Sequence, residues 1–137
     1  MRIIMPRKKC KRIVSFVPGT NFFKPAGTPL RTLEIVRMKV EELEAIKLID
    51  YHGYDQEKAA QEMGISRKTL WRDLKSGRKK IAEALIEGKA LLIKGGSFIV
   101  MQKFKCNDCG LEWRMPFGNA LPKVCIKCGG MSIERIE

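Results

Sequence analysis

Four cysteines stand as two pairs, Cys106-x2-Cys109 and Cys125-x2-Cys128, separated by fifteen residues. A two-residue gap lets both thiolates of one turn face a single ion, and a glycine follows each pair (Gly110, Gly129), where it relieves a tight knuckle. Four thiolates close a tetrahedral shell with no open position, which is structural zinc chemistry and not catalytic zinc chemistry. Iron in a rubredoxin-like shell is the alternative occupant, because the same ligand set binds it. Disulfides are a third reading, weakened by the paired CxxC spacing in a chain expected to be cytoplasmic. The fifth cysteine, Cys10, is read as a free thiol. The single histidine, His52, argues against His-pair chemistry, and the chain is read as a non-enzyme.

The second chemical resource is positive charge. The 137 residues carry 27 Lys and Arg against 15 Asp and Glu, a net +12, of which +10 falls within residues 1–94. Arg2, Arg7, Lys8, Lys9, Lys11 and Arg12 form an arm without acids. Arg67, Lys68, Arg72, Lys75, Arg78, Lys79 and Lys80 form a second cluster, interrupted only by Asp73. Clusters of this kind attract polyanions and release their counterions. No apolar run approaches a membrane span, and the N-terminus lacks the apolar stretch of a secretory signal, so the expected location is the cytoplasm, without a membrane partner.

The elements that must position these groups can be read in outline. Pro18-Gly19, Pro25 to Gly27 and Pro29 exclude a long helix over 15–33, leaving a loop pinned by aromatic residues. Val40, Leu43, Ile46 and Ile49 recur at helical spacing, with Glu41, Glu42 and Glu44 in the first turns, where carboxylates suit the helix dipole. Lys39 offers no N-cap acceptor, and Gly53 is the expected left-handed stop. Asp55 is the expected N-cap of a short helix over 56–63, Gly64-Ile65 a turn, and Ser66 the cap of a long helix from Arg67 to about Glu87, ended by Gly88. Gly95-Gly96 between two apolar runs reads as a hairpin link. The chain therefore divides into a basic arm and ordered loop (1–39), a helix-turn-helix domain (40–94) and a four-cysteine segment (95–137). The fold class is a mainly α N-terminal domain plus a small β zinc ribbon. About 40 residues build little core, so metal ligation is expected to supply that segment's folding energy.

On a wheel of 100° per residue, Leu70, Leu74, Gly77, Ile81 and Leu85 share one side of the long helix. Lys68, Arg72, Lys75 and Lys79 fall opposite. In a helix-turn-helix the start of the second helix reaches base edges while other contacts grip phosphate. Ser66, Arg67, Lys68, Thr69, Trp71 and Arg72 are accordingly assigned to the groove, although a Trp beside an apolar stripe reads equally well as core. Lys75 and Lys79, with Arg78, are assigned to phosphate at most, and Arg7, Lys8 and Lys9 to an arm that follows a groove or the backbone.

Several segments together resemble a known family: Met5-Pro6-Arg7, Cys10-Lys11-Arg12, Phe22 to Gly27, Leu43 to Asp50, Gln56 to Ala60, Met63 to Thr69 and Gly88 to Leu91. They resemble the small predicted DNA-binding proteins grouped as domain of unknown function 134, over about residues 5–96. The resemblance implies a helix-turn-helix similar to region four of bacterial sigma factors, and a regulator. Some relatives carry a nitrogenase-cofactor-type domain after this region; here the cysteine segment stands in its place.

The leading expectation is a sequence-specific protein of double-stranded DNA, regulating transcription, with a structural zinc site. RNA binding and a rubredoxin-like iron electron carrier fused to a helix-turn-helix are the alternatives, as is a homodimer to a monomer. A deep A-form major groove would exclude the long helix, which separates the RNA reading from the DNA one.

Overall fold

The helices begin and end where short-range chemistry dictates. The structure is a computed structural model and describes residues 11–116 and 122–136. Helix α1 spans Val40–Ile46. Lys39 gives it no side-chain cap, but the Glu42 carboxylate reaches back and accepts the Lys39 N–H at 2.8 Å, the reciprocal half of a capping box. The chain continues through a π turn, Lys47–Tyr51, and reverses at Gly53, whose φ is +74°. Helix α2, Gln56–Met63, starts where the Asp55 carboxylate accepts the Lys58 N–H at 2.7 Å. Gly64 takes the left-handed bend at φ +66°. Helix α3, Arg67–Glu87, starts where the Ser66 hydroxyl accepts the Thr69 N–H at 3.1 Å and stops at Gly88. These caps match the sequence expectation.

The strands widen the fold class. Beside its helices the N-terminal region carries β1 (Arg12–Val14), β2 (Phe22–Phe23), β3 (Ile35–Met38) and β4 (Ala90–Ile93), so the molecule is mixed α/β, with two small mixed sheets among the described residues. One sheet has the order β2-β4-β3, antiparallel between β2 and β4 and parallel between β3 and β4, with Val36 opposite Leu91. In the other, β5 (Phe98–Cys106) takes β1 in parallel along its first three residues, with Arg12 opposite Phe98. Farther along, β5 pairs antiparallel with β6 (Glu112–Pro116) and with β7 (Ile133–Ile136). The Gly95-Gly96 hairpin expectation is therefore corrected. Strand β4 already has a partner on each edge, so the glycines carry the chain from one sheet to the other. Gly96 has φ +108°, and a Cβ there would lie 2.5 Å from the Glu41 carboxylate, which accepts the Ser97 N–H at 2.9 Å.

Two apolar clusters hold α3 from behind. Ala45, Leu48, Ala59, Ala60, Met63, Leu70 and Leu74 form the first, between α1, α2 and the start of α3. Val14, Met38, Val40 and Ile93 form the second, with Ile81 of α3 packed against it. Gly77 faces the crossing of α1 and α3: a Cβ there would sit 2.8 Å from Ile46 Cδ1 and 3.3 Å from both Glu42 Cβ and the Glu42 carbonyl oxygen. The expected packed stripe holds as far as Ile81. Leu85 departs from it and is 78% exposed, while Ala84 takes the buried position.

Candidate nucleic-acid interface and metal centre

Helix α3 turns its basic flank outward. Ser66, Arg67, Lys68, Arg72, Lys75 and Lys79 are exposed, Thr69 is half-buried, and Trp71 is 45% exposed and so not part of the core. The Ser66 hydroxyl also donates to Thr69 Oγ1 at 2.9 Å, so both side chains are fixed at the helix start. Arg7, Lys8 and Lys9, together with Cys10, lie outside the described residues.

The charges sort into engaged and free. Asp73, the acid that interrupts the cluster, accepts from the Arg12 guanidinium of β1 at 3.1 and 3.3 Å. Arg78 forks onto Asp50 at 3.1 and 2.7 Å; that hydrogen bonding draws the Asp50 carboxyl below its usual range and holds the guanidinium proton more tightly. Lys80 lies 2.6 Å from the buried Glu42 carboxylate. Burial alone would raise the Glu42 pKa, but hydrogen bonds from Lys80, Ser76 and the Lys39 amide bring it below the ordinary value. Among the described residues, Arg67, Lys68, Arg72, Lys75 and Lys79 have no acidic partner within 4.0 Å. The free cations are thus four of those on the expected face plus Arg67, and Arg78 is withdrawn from the set.

Sequence reasoning missed the burial of the α1 acids. Glu41, Glu42 and Glu44 are 4%, 2% and 3% exposed, and they are internal anchors, a burial that the helix-dipole reading did not address. Burial raises the Glu41 pKa, only partly offset by the Ser97 amide. No local signal marked these three acids, because their partners Ser97, Lys80 and Ser15 are remote in sequence.

The four expected cysteines come together. Their sulfurs all lie within 4.8 Å of one another, with Cys106 to Cys128 and Cys109 to Cys125 at 3.6 Å each. A tetrahedral ion with bonds near 2.3 Å would set sulfur–sulfur separations of about 3.8 Å, so the cage fits zinc. The two knuckles repeat one geometry. Gly110 donates its N–H to the Cys106 carbonyl at 2.8 Å and Gly129 to the Cys125 carbonyl at 2.9 Å, with φ of +80° and +72°. The Lys127 and Gly130 amides donate to Cys125 and Cys128 sulfur, each at 3.3 Å, as thiolates in a metal shell require. Amide donation by Cys128, helped by Lys127, lowers the Cys125 pKa to about 7. At Cys128 the Gly130 amide pulls the same way, but the crowding of Cys106, Cys109 and Cys125 together with burial leaves it raised to about 12. Cys125 is thus the readier of these two thiols to ionise, and a bound cation would favour the thiolate of Cys128.

Besides the Glu41–Ser97 hydrogen bond, a second acid ties the cysteine segment to the helices. Glu62 of α2 accepts from Arg114 of β6 at 3.0 Å and pairs with Lys103 of β5 at 2.9 Å; Arg114 also donates to the Glu62 carbonyl at 2.8 Å. No helix of the described residues is long and apolar enough to cross a membrane.

Comparison with known proteins places this geometry in a family. The family described as "Protein of unknown function DUF134" matches residues 2–101. A "UPF0251 protein" of Moorella thermoacetica is 48% identical over 126 residues, covering 91% of this chain and 83% of its own. One from Methanocella arvoryzae is 45% identical over 132 residues, covering 93% and 80%. Another from Pelotomaculum thermopropionicum is 44% identical over 135 residues, covering 97% and 100%. No solved structure matches the chain. Because these relatives match over nine-tenths or more of this chain and four-fifths or more of their own length, the chain belongs to the DUF134/UPF0251 family.

Proposed function

We propose that this protein binds double-stranded DNA in a sequence-specific manner and regulates transcription without catalysing a reaction. The observation that supports this most is the outward flank of α3, where five cations without acidic partners among the described residues and a half-exposed Trp71 stand on a helix fixed from behind by two apolar clusters. In this reading Ser66, Arg67, Lys68, Thr69, Trp71 and Arg72 enter the major groove. A guanidinium or ammonium there can pair with guanine, and Thr69 or Trp71 can touch a thymine methyl. Lys75 and Lys79 hold phosphate, joined by Arg7, Lys8 and Lys9 of the arm. Cys106, Cys109, Cys125 and Cys128 hold zinc as a structural ion.

The test is selection from random duplex DNA with the zinc-loaded protein, followed by competition between the selected DNA and an RNA duplex of equal length across a salt series. Enrichment of one motif, resisted by RNA, is the expected result. Failure to enrich any sequence, or equal competition by RNA, refutes the reading. Elemental analysis settles the ion: a red protein with thiolate-to-iron absorption contradicts zinc.

A further inference from the structure

A second set of cations and rings lies away from the outward flank of α3. A cleft of about 630 Å³ opens between the chain after β1, the π turn after α1, and strands β5 and β7. That is within the usual range for small-ligand sites. Its walls carry three rings, Phe16, Tyr51 and His52, and three cations, Lys47, Lys103 and Arg135; among the described residues no acidic side chain lines it. Tyr51 is 82% exposed, and Phe16 is 37% exposed, so ring faces remain open for stacking.

The cations are positioned and not merely solvated. Lys47 is bonded to Ser15 Oγ and lies 3.1 Å from the Glu44 carboxylate, which is 3% exposed; its ammonium stands 4.5 Å from the Phe16 ring centroid. Lys103 is held by Glu62 at 2.9 Å. Arg135 is exposed and, among the described residues, has no acidic partner within 4.0 Å. Two ammonium groups are thus fixed from outside the cleft by helix carboxylates, and one guanidinium is left to fork onto an anion.

We infer that this cleft binds a mononucleotide-sized anion, its ring stacked on Tyr51 and Phe16 and its phosphate met by the Arg135 guanidinium. Open rings beside a guanidinium without an acidic partner are what such a ligand needs, since stacking is indifferent to base identity while the guanidinium fixes the phosphate. The inference does not depend on the DNA reading, because none of these residues lies on α3.

Calorimetry on the full, metal-loaded chain tests it, with nucleoside monophosphates as probes and the matching nucleosides and inorganic phosphate as controls. Nucleotides are expected to bind at least roughly tenfold tighter than either control. Arg135→Ala and Tyr51→Ala are each expected to weaken them by roughly tenfold, the loss typical of one charge-assisted contact or one stacking ring. Both positions are exposed, and circular dichroism checks that the variants fold. Arg72→Ala is expected to leave nucleotide affinity unchanged. Heat from no nucleotide, equal binding of inorganic phosphate, retention of affinity in both cleft variants, or its loss in Arg72→Ala overturns the proposal.

Discussion

Salt dependence can separate the free cations of α3 from the engaged ones. Each phosphate neutralised by a Lys or Arg contributes about −0.9 to the slope of log affinity against log salt. Of the five free cations, Lys75 and Lys79 are the ones assigned to phosphate, so they give α3 a share of about −1.8. Raising salt from about 50 to about 200 mM would then weaken binding about 12-fold through these two contacts. Lys79→Ala removes one of them, bringing the share to about −0.9 and the loss to about 3.5-fold. Arg78→Ala removes a cation one residue away that is already committed to Asp50 at 2.7 Å, and it should leave the slope unchanged. Any slope from the arm residues Arg7, Lys8 and Lys9 is common to both variants and cancels in the comparison. Fluorescence anisotropy with a labelled selected duplex, at four or five salt concentrations, measures all three slopes. If Arg78→Ala flattens the line as much as Lys79→Ala does, the division into free and engaged charges is wrong.

Three further outcomes follow from the packing and the titrating groups. Gly77→Val should destabilise the chain by about 1–3 kcal/mol in urea titration, because the added carbons meet the Glu42 backbone as well as the movable end of Ile46; an unchanged midpoint would show that α1 and α3 are free to separate. Glu41→Gln and Glu42→Gln should act in opposite directions at neutral pH. The raised pKa of Glu41 means that its ionisation costs stability as pH rises from the unfolded value through the folded one, so the amide relieves that cost while still accepting from Ser97. The lowered pKa of Glu42 means that its charge stabilises the fold above the unfolded value and the benefit is lost as pH falls through the folded one, so the amide gives up the Lys80 pair. Thermal melts of both variants between acidic and neutral pH check the signs, and matching shifts would contradict the assignment. Finally, with Cys128 raised to about 12, metal binding must expel protons, so apparent zinc affinity should climb with pH and chelation should abolish the near-ultraviolet signal of Trp113, whose ring centroid lies 6.0 Å from that of Phe104. Affinity that is flat in pH would mean that the thiols are already ionised without metal.

What could be read from the sequence was what is settled within a few residues. The Asp55 and Ser66 caps, the left-handed glycines at 53, 64 and 88, and the two CxxC knuckles are each decided by neighbours in the chain, and each stands where it was expected. What escaped depends on distant partners. Strands β1 and β2 are two and three residues long and acquire their meaning only by pairing with β5 and β4, so the arm and loop looked irregular. Glu41, Glu42 and Glu44 read only as complements to the helix dipole, because nothing near them announces Ser97, Lys80 or Ser15. Gly95-Gly96 looked like a hairpin because the free edges that a hairpin needs were already taken, a fact visible only in the sheet order.

Strand β5 has a mechanical consequence. Its first residues grip β1, whose Val14 is fully buried in the cluster behind α3, and its last residue, Cys106, is a corner of the sulfur cage. Nine residues of extended chain span about 30 Å. The strand is thus a stiff spar with helix α3 braced at one end and the sulfur cage at the other. Whatever surface the cage presents travels with the helix at a set reach and angle, so the two ends move as one tool and not as two tethered by a slack line.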